Sequence, residues 1–182
     1  LILTLFLFFT QARFFARNLA DVRPLFEWLP LLLIFLVSAV TMRSWAEERK
    51  AGTLEVLLTL PVRTIDLVLG KFLAGMALVG LALLFTTPLP FTVWRLGPLD
   101  WGPVIGGYVG LLLVSAVYVS LGLLASSITE NQIIAFILGF LFCFAFFMFD
   151  KVLIYVPGFL AGIVEYLGAD HHYQNIARGV ID

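Results

Sequence analysis

From Pro103 to Ser126 the chain carries no charged side chain, only apolar residues, glycines and a few hydroxyls. Crossing the hydrocarbon of a bilayer as a helix takes about 20 residues of this kind. Water is absent there, so every backbone N–H and C=O must be satisfied within the protein, which leaves helices and closed barrels as the only spanning structures. The apolar runs here are continuous rather than alternating, so helices are expected. Composition agrees: 62% of the 182 residues are hydrophobic and 13% charged, against about 45–50% and 25% in soluble domains. The fold class expected is an all-α polytopic membrane helix bundle. Its spans fall at about residues 1–12, 25–42, 65–91, 103–126 and 132–149.

The longest polar interruption lies between the second and third of these runs, at residues 43–63. A segment holding Arg43, Glu47, Glu48, Arg49, Lys50, Glu55 and Arg63 cannot rest in hydrocarbon and must lie at a membrane face. Trp45 suits the headgroup zone. Glu47, Glu48, Arg49 and Lys50 read as a solvated helical face, which Gly52 ends. Thr53 is placed to N-cap a second short helix, with Glu55 in its first turn favourable to the helix dipole. Leu54, Leu57 and Leu58 stand at i, i+3, i+4 and give that helix an apolar stripe. Pro61 stops it.

Other signals concern packing. Thr64 is a candidate cap for the third span, with Asp66 in its first turn, and Pro88 and Pro90 are expected to bend or end its far side. Gly70, Ala74 and Gly75 leave room for close helix approach. Gly102, Gly106 and Gly110, spaced at four, form a ridge of the kind that lets helix backbones meet in lipid, within the bundle or with another copy. Pro24 and Pro30 punctuate a polar connection before the second span, and Thr129 is a candidate cap in the turn at residues 126–131. The fifth span is rich in phenylalanine, fit for packing, for lipid or for an apolar substrate path. Residues 150–180 include Pro157, Gly158 and Gly162 in a run too short to cross, and read as a re-entrant segment, with Asp170 capping a short helix. The chain begins at Leu1 inside an apolar run, so a truncated first span and a missing last one are expected.

Chemistry has few candidates. No G-x-x-x-x-G-K-[ST] loop is present: Gly70-Lys71 is followed by Phe72, so any ATP would be hydrolysed by another chain. Glu165, Asp170, His171 and His172 are the one cluster resembling a ligand set, but adjacent histidines on a helix point about 100° apart and lack H-E-x-x-H spacing. No metal site, bound cofactor or catalytic residue is expected. A net charge of −1 disfavours nucleic acid, and Cys143 has no partner cysteine. The near absence of ionisable residues in the spans disfavours an ion-coupled carrier. Lysine and arginine do not settle sidedness. Five lie with the insert (Arg43, Arg49, Lys50, Arg63, Lys71) and six on the other side (Arg13, Arg17, Arg23, Arg95, Lys151, Arg178).

The run E-E-R-K-A-G-T-L-E-V-L-L-T-L-P-V at 47–62, followed by L-V-L-G-K-F-L, resembles the cytoplasmic hallmark of ABC-2 type transporter permeases. L-A-S-S-I-T-E-N-Q-I-I-A-F at 124–136 and D-H-H-Y-Q-N-I-A-R-G-V-I-D at 170–182 resemble the gliding-motility-associated branch. The resemblance implies a six-span permease in the plasma (inner) membrane, with about five spans present here. It implies a cytoplasmic insert whose second helix couples to a separate ABC ATPase, and an external broken segment at 150–180. Two permeases, as a homo- or heterodimer, would work with two ATPases holding ATP and Mg. By that resemblance Glu47, Glu48, Arg49, Gly52, Thr53, Leu54, Glu55, Leu57 and Leu58 are the docking and coupling residues. The function implied is export driven by the partner's ATP hydrolysis. A membrane anchor for an ATP-driven gliding or secretion machinery is the alternative.

Overall fold

The computed structural model describes residues 23–96 and 99–152. The expected span at 1–12, the re-entrant segment beyond Val152 and the cluster at 165–172 lie outside the described residues. Among them every regular element is a helix: α1 Arg23–Thr41, α2 Ala46–Lys50, α3 Thr53–Thr59, α4 Thr64–Leu84, α5 Pro88–Leu96, α6 Trp101–Ile128 and α7 Gln132–Val152. Three helical runs are long and apolar enough to cross a membrane, Leu25–Lys50, Thr64–Arg95 and Trp101–Ile128, and Gln132–Met148 is a shorter apolar one. These make a polytopic helical membrane bundle.

Two prolines behave differently from their sequence reading. Pro30 lies inside α1 rather than closing a polar connection. A proline there loses one backbone bond, a loss that membrane helices tolerate where neighbouring groups compensate. Pro88 does interrupt, but from the far side: α4 ends at Leu84, the turn is closed by Thr86 N–H to the Leu83 carbonyl (2.9 Å) and Thr87 N–H to the Leu84 carbonyl (3.2 Å), and Pro88 opens α5. The first helical position suits proline because its N–H would be orphaned anyway.

The chain divides into two compact units. In the first, comprising Leu1–Leu32, Gly80–Val114 and Phe147–Asp182, the Phe26 ring meets Tyr108 edge-on at 5.3 Å. The Tyr108 hydroxyl hydrogen-bonds that of Thr86 at 3.0 Å. Trp101 sits edge-on to Phe91 at 5.6 Å and to Trp94 at 6.0 Å. In the second unit, Leu33–Val79 with Ser115–Phe146, α1 contributes buried Ile34, Val37, Ser38 and Thr41, α4 contributes Val79, and α7 contributes Ala135 and Cys143. The Ser38 and Thr41 hydroxyls donate to the Ile34 and Val37 carbonyls at 2.7 and 2.8 Å, so neither is left unsatisfied in an apolar setting.

Small residues set how closely the helices meet. A Cβ on Gly75 would come within 2.9 Å of a Val119 methyl, one on Gly107 within 2.7 Å of the Phe26 ring, and one on Gly139 would touch Ala125 and Ser38 at 3.7 Å. At Gly122 an added Cβ would collide with the Thr41 hydroxyl and approach its Cβ to 3.0 Å. This corrects one expectation, that for Gly70. Gly70 faces open space, and Gly102 is exposed, with only Asp100 of its own turn within 4 Å. Of the expected ridge Gly106 is half-buried and Gly110 buried. Gly107, one position around the helix, makes a close approach of its own, on a face that continues through Leu111, Tyr118, Gly122 and Ser126, all buried.

These contacts fix opposite signs for two similar substitutions. Gly122→Ala forces Thr41 aside and is expected to destabilise by about 1–3 kcal/mol. Gly70→Ala relieves the backbone entropy of a mid-helix glycine and is expected to stabilise by about 0.5–1 kcal/mol. Thermal unfolding in detergent micelles checks both.

Candidate functional site

α1 does not continue straight into the polar insert. The chain turns at residues 42–45, with Ser44 N–H bonded to the Thr41 carbonyl at 3.0 Å in a tightened turn, and then re-enters a helix as α2. The cause is a side chain from 80 residues away. The Ser126 hydroxyl, on α6, donates to the Met42 carbonyl at 3.0 Å and accepts the N–H of Ala46 at 3.2 Å and of Trp45 at 3.0 Å. Met42 and Ala46 are a helical i, i+4 pair, so the hydroxyl stands where their direct bond would be. A side chain inserted into the ladder bends a helix. One donation and two acceptances use the whole capacity of a hydroxyl, and Ser126 is fully buried.

A second side chain holds the same turn from α4. The Lys71 ammonium donates to the Ser44 carbonyl and to Glu48 Oε1, the latter at 2.6 Å, and lies 4.3 Å from the centre of the Trp45 ring. Three N–H groups thus face a carbonyl, a carboxylate and an aromatic face, each an electron-rich partner. The side chains of Lys71 and Glu48 are only 18% and 25% exposed, and Glu48 Oε2 is buried with no hydrogen-bond partner. Removing the lysine would strand a largely desolvated carboxylate, the costly way to break such a pair.

Glu48 departs from the solvated face expected of it together with Glu47, Arg49 and Lys50: those three are exposed, while Glu48 turns inward to Lys71. The short helix is held from two directions, with buried Ala46 at the Ser126 hydroxyl and half-buried Glu48 at Lys71.

Gly52 ends α2 in the left-handed conformation, at φ 69°, where its N–H reaches the Arg49 carbonyl at 3.1 Å. This is the usual helix-ending role of glycine. Thr53 does not cap α3. It is the first residue inside the helix, Gly52 holds the cap position, and the Thr53 hydroxyl donates backward to the Glu48 carbonyl at 3.2 Å. The hydroxyl thus helps to satisfy an orphan carbonyl of α2 instead of an N–H of α3. Thr64 is likewise inside α4, since the Arg63 carbonyl accepts the first bonds, from Asp66 and Leu67. At the other turn Asn131, not Thr129, caps α7: its Oδ1 accepts the Ile133 N–H at 2.9 Å, while Thr129 Oγ1 accepts the N–H of Asn131.

α3 itself has no buried residue. Leu54 and Leu57 are half-buried, Glu55 is exposed, and Leu58 is 54% exposed. Val56, which the expected stripe omitted, is 62% exposed, and Leu60 and Val62 beyond the helix are 50% and 46% exposed. Leu60 is extended (φ −68°, ψ 148°), as a residue before proline must be. The result is an apolar surface rimmed by charge. No group of three His, Cys, Asp or Glu able to hold a metal occurs among the described residues.

Geometry thus defines a multi-pass membrane protein whose polar insert is held firmly to its spans yet includes a helix, α3, with no buried residue. A family model described as ABC-2 family transporter protein matches residues 7–174, and the chain belongs to that family. It is an integral membrane permease of the ABC-2 class, whose members normally work with an ABC ATPase. Comparison with curated proteins and with solved structures returned no match.

Lys71 and Ser126 were not among the expected site residues. Lys71 had a usable signal: a lone lysine within an apolar span needs a partner, and the nearest acidic residues lie on the insert. Ser126 had none, since a serine in a membrane helix more often bonds its own turn. Ser126→Ala leaves the Trp45 and Ala46 N–H groups and the Met42 carbonyl without their partner, at an expected cost of about 1–3 kcal/mol. Thermal unfolding measures that cost, and faster trypsin cleavage at Arg49 and Lys50 would report the loosened turn.

Proposed function

We propose that this chain is the membrane subunit of an ABC-2 exporter in the plasma (inner) membrane, and that α3 is the element by which a separate ATPase takes hold of it. The observation that carries the reading is the uncovered apolar surface of α3 and its strap: Val56, Leu58, Leu60 and Val62, all close to half exposed or more. Apolar surface rimmed by charged residues marks an interaction site. Charge favours a protein over an anionic lipid surface as the occupant. Between residues 43 and 66 the bases Arg43, Arg49, Lys50 and Arg63 are balanced by the acids Glu47, Glu48, Glu55 and Asp66, so the segment has no polybasic pull toward headgroups.

On this reading the insert is cytoplasmic, and two ATPases carrying ATP and Mg act on two permease copies. Glu47, Arg49, Gly52, Thr53, Leu54, Glu55, Leu57 and Leu58 form or flank the docking surface, with Val56 added and Glu48 reassigned to the joint beneath. The chain's part is mechanical. Closure of the ATPases moves α3, and the spans around it open a path that α1 and the phenylalanine-rich α7 help to line. On α7 the rings of Phe136, Phe140 and Phe144 stack in series, at 6.4 and 5.8 Å. Within the family we place the chain with the gliding-motility-associated permeases, on the segments at 124–136 and 170–182.

Affinity-tagged full-length permease, co-expressed with its ATPase, tests the docking role. The double substitution V56E/L58E places two charges in the apolar surface and should lower ATPase capture about tenfold or more, since each tenfold is only about 1.4 kcal/mol. Membrane insertion should be unchanged because neither residue is buried. Undiminished capture would contradict the assignment of α3.

A further inference from the structure

We propose that Lys71 is a positioning residue that joins the insert to α4 as one rigid lever, so that movement of α3 reaches the membrane span. The inference rests on the docking reading above. Three observations carry it. First, α2 has five residues and α3 seven, and helices this short do not hold their form without tertiary support. α3 has no buried residue, and of its side chains only Leu54 and Leu57 are half-buried, so most of any load placed on it passes through its two ends.

Second, one of those ends is the strap Leu60–Arg63, extended at Leu60 and lacking helical structure at 60–63. A strap of that kind can pull but transmits compression poorly and rotation hardly at all. The other end passes through Gly52 into α2, and α2 is fixed to α4 by Glu48 and Lys71. Lys71 stands seven residues into α4, about 10 Å along it. The insert therefore grips α4 at two levels, covalently at its start and by an ion pair two turns in. Two separated attachments make a lever, whereas one makes a swivel.

Third, the attachment is specific to lysine. A single ammonium nitrogen faces the Ser44 carbonyl, Glu48 Oε1 and the Trp45 ring, and only a compact tetrahedral head can aim three donors at partners around it. A planar guanidinium presents its donors in a fork. It would keep the charge and lose the convergence. Exchanging the charges, K71E with E48K, would place a carboxylate against a carbonyl and an aromatic face, both of which repel it, so the swapped pair is not expected to restore the joint.

The test uses the full-length permease with its ATPase in lipid nanodiscs. Spin labels replace Leu78 on α4 and Leu124 on α6, which are 52% and 53% exposed, and their distance distribution is compared without nucleotide and after trapping with ATP and vanadate. In the otherwise unsubstituted protein the trapped state shifts the distribution. In K71M the ratio of shifted to unshifted population should fall by about 2- to 30-fold, the range for residues that carry coupling, while the ATPase stays bound and hydrolyses ATP. K71R, which preserves charge and solubility, should fold normally and also lose part of the shift.

Three results would overturn the proposal: an unaltered shift in both lysine variants, no shift in the unsubstituted complex, or loss of ATPase capture on changing Lys71. Failure of the docking reading is seen separately, as capture that survives V56E/L58E.

Discussion

A buried hydroxyl and a partly buried ammonium, brought from two different spans to one turn of chain, hold together the polar insert of this permease. Ser126 takes the place of a backbone bond between Met42 and Ala46, and Lys71 takes the Ser44 carbonyl and the Glu48 carboxylate beside it. Helix ends leave polar groups unsatisfied, and where the protein buries them, as around Ser126, its own side chains must meet them. The bend from α1 into α2 exists because those two side chains satisfy it. Once α2 is fixed, Gly52 can turn the chain sharply into α3, none of whose residues is buried.

Beneath the joint, the spans obey a different rule from soluble helices. Lipid is as apolar as leucine, so hydrophobicity cannot say which side of a span faces inward, and close packing of small residues decides it. α6 shows this clearly. It is apolar on every side, yet its buried face carries Gly107, Ser115, Gly122, Ala125 and Ser126, while Ile105, Leu113 and Leu124 are exposed. The tightest approach, Gly122 against Thr41, lies one turn from Ser126. The glycine that lets α1 and α6 meet therefore also brings the serine within reach of the turn after α1.

This physics explains which features were legible in the residues alone. The all-helical class followed from long uncharged runs, and the polar insert announced itself by charge. Gly52 and Pro61 divided that insert where the structure divides it. Side-chain partners were harder. Thr53, Thr64 and Thr129 each resemble an N-cap locally, but Gly52, Arg63 and Asn131 hold those positions, because a cap depends on backbone angles that residue type only biases. Glu48 could not be told from Glu47 in the sequence; only its position opposite Lys71, 23 residues on, separates an inward carboxylate from an outward one. Gly107 was not singled out because a spacing of four selects one helical row, and the contacting face is broader than one row.

The account stands on α3 being the surface that meets the ATPase. A photoreactive phenylalanine analogue placed at Leu58 of the full-length permease, irradiated in membranes that also hold the ATPase, tests this directly, with Leu113 of α6 as the control because it is equally open, at 59% exposed, but lies in mid-span. The account predicts an ATPase adduct from position 58 and none from position 113. No adduct at 58, or adducts of equal yield at both positions, would contradict it.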